Sequence, residues 1–222
     1  MTTPTDRIVP VVNVPNALTV VRLVLVPVFG WILLADPTSA SRRWIALAVF
    51  VVALVTDFID GKIARQYNLI TNFGKLWDPI ADKAITGMAW VGLSIVGELP
   101  WWVTIIVLVR EWGITVLRFA IVKWGVMAAN RGGKIKTMLQ SWVLGFWVMP
   151  LHLYFAPDPV PTTPLAWLDY TPGWWVWFKL GLMALTVVWT VWTGLDYLRE
   201  AKKLHDRYVA AQVVAEDSGA AE

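Results

Sequence analysis

Apolar residues along this chain come in long, nearly unbroken runs rather than in alternating or three-and-four patterns. Six runs stand out, separated by short polar connections: Ala17–Leu34, Trp44–Ala64, Asp78–Val96, Trp101–Val122, Ile135–Phe155 and Trp174–Leu198. Each is close to the ~20 residues a helix needs to cross a bilayer. A backbone facing lipid must satisfy its own hydrogen bonds, and these runs are too long and too uniform for barrel strands. The pattern predicts an all-α integral membrane protein with six transmembrane helices. The first run is expected to stay in the mature chain, because only Arg7 precedes it and no small-residue cleavage site follows Leu34. Residues 1–16, with Pro4, Pro10 and Pro15 among valines and an isoleucine, read as a segment lying along the interface. Residues 17–208 read as one helical bundle, and 209–222, small and acidic, as a disordered tail.

Composition sharpens this picture. Of 222 residues, 57% are hydrophobic and 16% charged, against about 25% charged in soluble domains. That excludes disorder, a coiled coil and an ordinary soluble enzyme. Cysteine is absent, so there is no disulfide, zinc–thiolate site or thiol nucleophile. The net charge of +3 is explained by its distribution rather than by a nucleic-acid partner. Arg7, Lys62, Arg65, Lys75, Lys123, Arg131, Lys134, Lys136, Arg199, Lys202, Lys203 and Arg207 fall in the tails and the even-numbered connections; only Arg42, Arg43 and Lys179 fall on the other side. By the positive-inside rule both termini are cytoplasmic. Among 16 tryptophans, Trp101, Trp102, Trp174, Trp175 and Trp177 sit where an outer interfacial belt is expected.

Candidate chemistry lies in Thr56–Lys83. Asp57 and Asp60 are three residues apart at the end of the second run; Asp78 and Asp82 are four apart at the start of the third. Each pair shares a helix face. The short connection makes the two helices antiparallel neighbours whose cytoplasmic ends meet, so four carboxylates can converge. Isolated carboxylates at mid-bilayer cost about 2.5–3.5 kcal/mol each on insertion scales, and less towards the interface. The four would also repel one another, so positive charge has to compensate. With no Cys, and with His152 and His205 far along the chain, an all-oxygen site suits a hard divalent cation. Four acids can hold two ions about 3.5–4 Å apart, a spacing used in phosphoryl transfer. Gly61 and Ala64 leave room on the acidic face, Gly74 does so one turn before Asp78, and Arg65 can grip phosphate bidentately. The bland alternative is a set of solvated helix ends paired with Lys62, Arg65 and Lys83.

The whole pattern, D-x2-D-G-x2-A-R-x8-G-x3-D-x3-D over Asp57, Asp60, Gly61, Ala64, Arg65, Gly74, Asp78 and Asp82, resembles the CDP-alcohol phosphatidyltransferase family at every fixed position. The resemblance implies six spans, a cytoplasmic site in a bacterial cell membrane, a homodimer, and two ions of Mg²⁺ or Mn²⁺. It implies Asp57, Asp60, Asp78 and Asp82 as metal ligands, with Asp82 also the general base. Asp57, Gly61, Ala64, Arg65 and Gly74 would line the CDP site. The implied donor is CDP-diacylglycerol, with CMP leaving.

Three further segments, Asn13–Arg22, Val109–Arg118 and Lys134–Gln140, resemble the branch of that family that uses glycerol 3-phosphate, at the head of phosphatidylglycerol and cardiolipin synthesis. Val116 departs from it, standing where a smaller residue is expected. Arg110, Arg118, Lys134 and Lys136 are candidates for the acceptor phosphate. Against that, Arg110 and Glu111 can form a structural ion pair, and Lys134 and Lys136 can simply obey the positive-inside bias. Arg22 can snorkel to the interface; Asn16 and Thr19 can cap the first span or touch nucleotide. Another acceptor (inositol phosphate, serine or a lipid) is the alternative within the family. A small cation transporter is the alternative outside it, disfavoured because the acids cluster near one face and no internal repeat is present.

Overall fold

A computed structural model describes residues 13–67, 71–121 and 131–217. Within them, the side chains of 64–65, 72–76, 119, 131–135, 211 and 213–217 are not described. Every regular element among the described residues is helical. α1 spans Val14–Ala35, α2 Ala40–Gln66, α3 Asn72–Ile95, α4 Trp101–Ile121, α5 Arg131–Val148, α6 Trp167–Tyr170 and α7 Gly173–Asp217, with a 3₁₀ helix over Pro150–Phe155. The six long helices fall on the six predicted runs. Among the described residues three helices are long and apolar enough to cross a membrane: Val14–Ala35, Ala40–Ile63 and Gly173–Ala210. α4, by contrast, carries Arg110, Glu111 and Arg118.

Several boundaries differ from the sequence expectation, each for a local reason. α1 begins at Val14, inside the stretch expected to lie along the interface. Asn13 caps it by accepting from the Asn16 amide, and Pro15 occupies the first turn, where its missing N–H costs nothing. The remainder of that segment, 1–12, lies outside the described residues. The run expected to continue to Phe155 breaks earlier. Met149 precedes Pro150 and takes an extended conformation (ψ 126°), ending α5 at Val148. The tail expected to be disordered from 209 continues α7 as far as Asp217. Alanine-rich sequence propagates an existing helix without a new nucleation step; residues 218–222 lie outside the described residues.

The chain divides into two compact units, Met1–Pro100 with Leu144–Gly173, and Trp101–Val143 with Trp174–Glu222. In the first, α1 packs against both α2 and α3, which touch each other much less. The Phe29 and Phe50 rings meet at 5.7 Å between α1 and α2. Gly30 of α1 lies against Met88 of α3, and Gly92 of α3 against Leu33 of α1; a Cβ on Gly92 would sit 2.7 Å from Leu33 Cδ2. Glycine at these two positions lets the helices approach closely, as small residues do in membrane bundles. The second unit is tied by polar contacts among α4, α5 and α7.

Candidate active site

One face of α1 organises the acidic motif. Asn16, Thr19 and Arg22 recur every three residues and are 5%, 0% and 0% exposed. Asn16 Nδ2 donates to Thr71 Oγ1 at 2.9 Å, fixing the residue just ahead of α3. Thr19 Oγ1 lies 2.6 Å from Asp78 Oδ1 and 3.1 Å from the Pro15 carbonyl. With a single proton to give, the hydroxyl favours the shorter, charged acceptor. Arg22 forms ion pairs with Asp57 Oδ1, at 2.5 Å, and with Asp60 Oδ2. Arg22 is therefore not a snorkelling side chain: it turns inward and bridges two carboxylates that lie one turn apart on α2.

Asp57, Asp60 and Asp78 thus gather on α1, rather than across a direct α2–α3 interface as the short connection implied. Asp60 is buried, Asp78 is half-buried, and the Asp57 side chain is 41% exposed. Asp82 stands one turn beyond Asp78 on α3, half-buried. Gly61 follows Asp60 on α2. Ala64 and Arg65 belong to α2 and Gly74 to α3, but their side chains lie outside the described residues, as does that of Lys134 on α5.

Whether this donor set fits divalent metal turns on charge and on convergence. The four carboxylates present hard oxygen atoms, which is the chemistry Mg²⁺ and Mn²⁺ take. Among the described residues no three acidic or histidine side chains already close on one point. The residues fit by the chemistry of their oxygen donors.

The second unit holds the cations proposed for an acceptor, and two of them share one carboxylate, that of Glu111. Lys136, 4% exposed, is ion-paired with Glu111 Oε1; Arg110 Nη1 reaches the same oxygen at 3.2 Å. Gln140 Nε2 donates to Thr190 Oγ1 at 3.2 Å, and Arg110 Nη2 to Thr193 Oγ1 at 3.1 Å. Arg118 Nη2 donates to the Tyr197 hydroxyl at 2.5 Å, its guanidinium 4.8 Å from the ring centre. The Arg110–Glu111 ion pair foreseen as the structural reading is present, with Lys136 as its third member.

A further buried ionic group escaped the sequence reading. Arg43, counted there as an outer-side charge, is fully buried and paired with Glu98, which His152 Nε2 approaches at 3.2 Å. The Trp147 and Trp167 indoles donate to the Glu98 carbonyl. Arg43 precedes Asp57 by 14 residues on one helix, about 21 Å at 1.5 Å per residue, so this group is remote from the acidic motif. Glu98, His152, Trp167 and Tyr170 line an open pocket there that contains no motif residue. Nothing in local sequence pairs Arg43 with a glutamate 55 positions on.

The sequence profile of the CDP-alcohol phosphatidyltransferase family matches residues 12–192, and the chain belongs to that family. Among its relatives is a probable phosphatidylglycerophosphate synthase of Mycobacterium tuberculosis, 40% identical over 192 residues, covering 86% of this chain and 82% of that one. CDP-diacylglycerol–glycerol-3-phosphate 3-phosphatidyltransferases of Bacillus subtilis (36% identity; 69% and 83% covered) and Escherichia coli (32%; 86% and 95%) are similar as well. The chain is a membrane-associated transferase of phospholipid synthesis.

Proposed function

We propose that the protein transfers a phosphatidyl group from CDP-diacylglycerol to glycerol 3-phosphate, giving phosphatidylglycerophosphate and CMP. The observation that carries this reading is the gathering of Asp57, Asp60 and Asp78 on one buried face of α1. The names of the relatives supply the donor and the acceptor.

Two divalent ions, Mg²⁺ or Mn²⁺, would be held by Asp57, Asp60, Asp78 and Asp82; when bound they offset the charge of the diphosphate and of the departing CMP. Gly61, Ala64 and Gly74 leave space for the nucleotide beside Asp57, and Arg65 pairs with phosphate. Asp82 accepts the proton of the acceptor hydroxyl as its oxygen bonds to the phosphorus that carries the diacylglycerol; the bond from that phosphorus to CMP breaks, and CMP keeps the electron pair. Positioning and charge stabilisation dominate such a transfer. In the second unit, Arg110, Arg118, Lys134 and Lys136 would receive the acceptor phosphate, which competes with Glu111 for Arg110 and Lys136.

The accompanying topology is six spans, with both termini and the active site on the cytoplasmic side of a bacterial membrane, and a homodimer. The placement of Lys and Arg supports the orientation. The test is CMP release by purified protein from CDP-diacylglycerol in defined lipid with Mg²⁺ or Mn²⁺, across glycerol 3-phosphate, inositol phosphate, serine and a lipid acceptor. Release that requires glycerol 3-phosphate is expected; release indifferent to it overturns the acceptor assignment.

A further inference from the structure

We propose that Arg22 is the positioning residue of the carboxylate cluster: from a third helix it clamps Asp57 and Asp60, with Thr19 holding Asp78 one turn earlier, and so sets the affinity of the site for divalent cations. This rests on the metal reading above.

The argument begins with cost. Arg22 is 0% exposed and is the sole charged residue of α1, flanked by Val20, Val21, Leu23 and Val24. A guanidinium at such a place is expensive, and a buried charge is retained only where paired and hydrogen-bonded. Its pairing is specific, because two different nitrogens reach two different carboxylates, Asp57 Oδ1 and Asp60 Oδ2. Those aspartates lie one turn apart on a single helix, and the planar fork links their carboxylates. It engages one oxygen of each carboxylate. Thr19 treats Asp78 likewise, through Oδ1. The arrangement matches the outer shell of metal sites, where partners orient ligating carboxylates and their loss weakens binding.

A lysine at position 22 keeps the charge but lacks the fork. The experiment is Mn²⁺ titration, followed by the electron paramagnetic resonance of free Mn²⁺, on purified full-length protein in detergent without substrate. Wild type, Arg22→Lys and Thr19→Val are compared, with thermal unfolding of each recorded in the absence of metal. Arg22→Lys is expected to weaken Mn²⁺ binding by about 10–100-fold, with unfolding near that of wild type. Thr19→Val should shift binding in the same direction by less. Undiminished Mn²⁺ affinity in Arg22→Lys overturns the proposal, leaving Arg22 only a counter-charge. If Arg22→Lys does not fold, Thr19→Val decides: binding equal to wild type overturns the proposal, and weakened binding supports it. A wild-type protein that binds no Mn²⁺ overturns the metal reading itself, a result distinct from the others.

Discussion

At the scale of single residues, burial decides which charges matter. Either aspartate pair alone reads equally well as a solvated helix end, but the whole eight-position motif was legible in the sequence. Arg22 was not: a lone arginine in an apolar run does not disclose which helix it faces, and snorkelling was equally consistent with the letters. Arg43 and Glu98 illustrate the same limit at greater separation. Two outcomes follow at this scale. Replacing Asp82 by Asn should lower CMP release by about 10²–10⁴-fold, the usual worth of a general base; undiminished turnover would remove Asp82 from that role. Glu98→Gln leaves Arg43 buried beside a neutral partner and should cost about 3–5 kcal/mol of unfolding free energy, measured by denaturation in detergent. The double change Arg43→Met with Glu98→Leu should cost less than either single change. A double-mutant loss equal to the sum of the two would refute the pairing.

At the scale of elements, the hydropathy runs located all six long helices, since unbroken apolar sequence of that length has few other uses. Their ends were harder to read. Pro150 was visible, yet the apolar residues on both sides of it disguised the break. The acidic tail looked too polar to order, although α7 needed only to continue. Contact between helices is governed by small residues whose role appears only in three dimensions. Gly92→Val should push Leu33 away and loosen α1 from α3, costing about 1–3 kcal/mol as overpacking does. Gly113→Val is the control, because no atom lies within 4 Å of a Cβ there. Equal thermal stability of the two variants would contradict the close approach of α1 and α3.

At the scale of the whole molecule, the two ends of the first unit differ in chemistry: one gathers aspartates around Arg22 and Thr19, the other encloses the Arg43–Glu98 ion pair. Tyr170 reports on the latter. Burial, reinforced by the Glu98 carboxylate and opposed by Arg43, pushes its phenol above the ordinary value of 10.0. Unfolding frees the phenol to ionise near that value, so the unfolded chain sheds a proton that the folded one retains. Stability tied to Tyr170 is therefore intact below pH 10 and declines as pH climbs beyond it. Melting temperatures between pH 9 and 11 should fall more steeply for wild type than for Tyr170→Phe; parallel curves would show that the hydroxyl is not shielded. α7 carries a different consequence. Its 45 residues make a rod of about 68 Å at 1.5 Å per residue, where the hydrocarbon layer is only about 30 Å deep. A fluorophore attached near Asp217 would accordingly ride on a stiff mast well clear of the lipid headgroups, and energy transfer to a dye in the membrane would read its height directly.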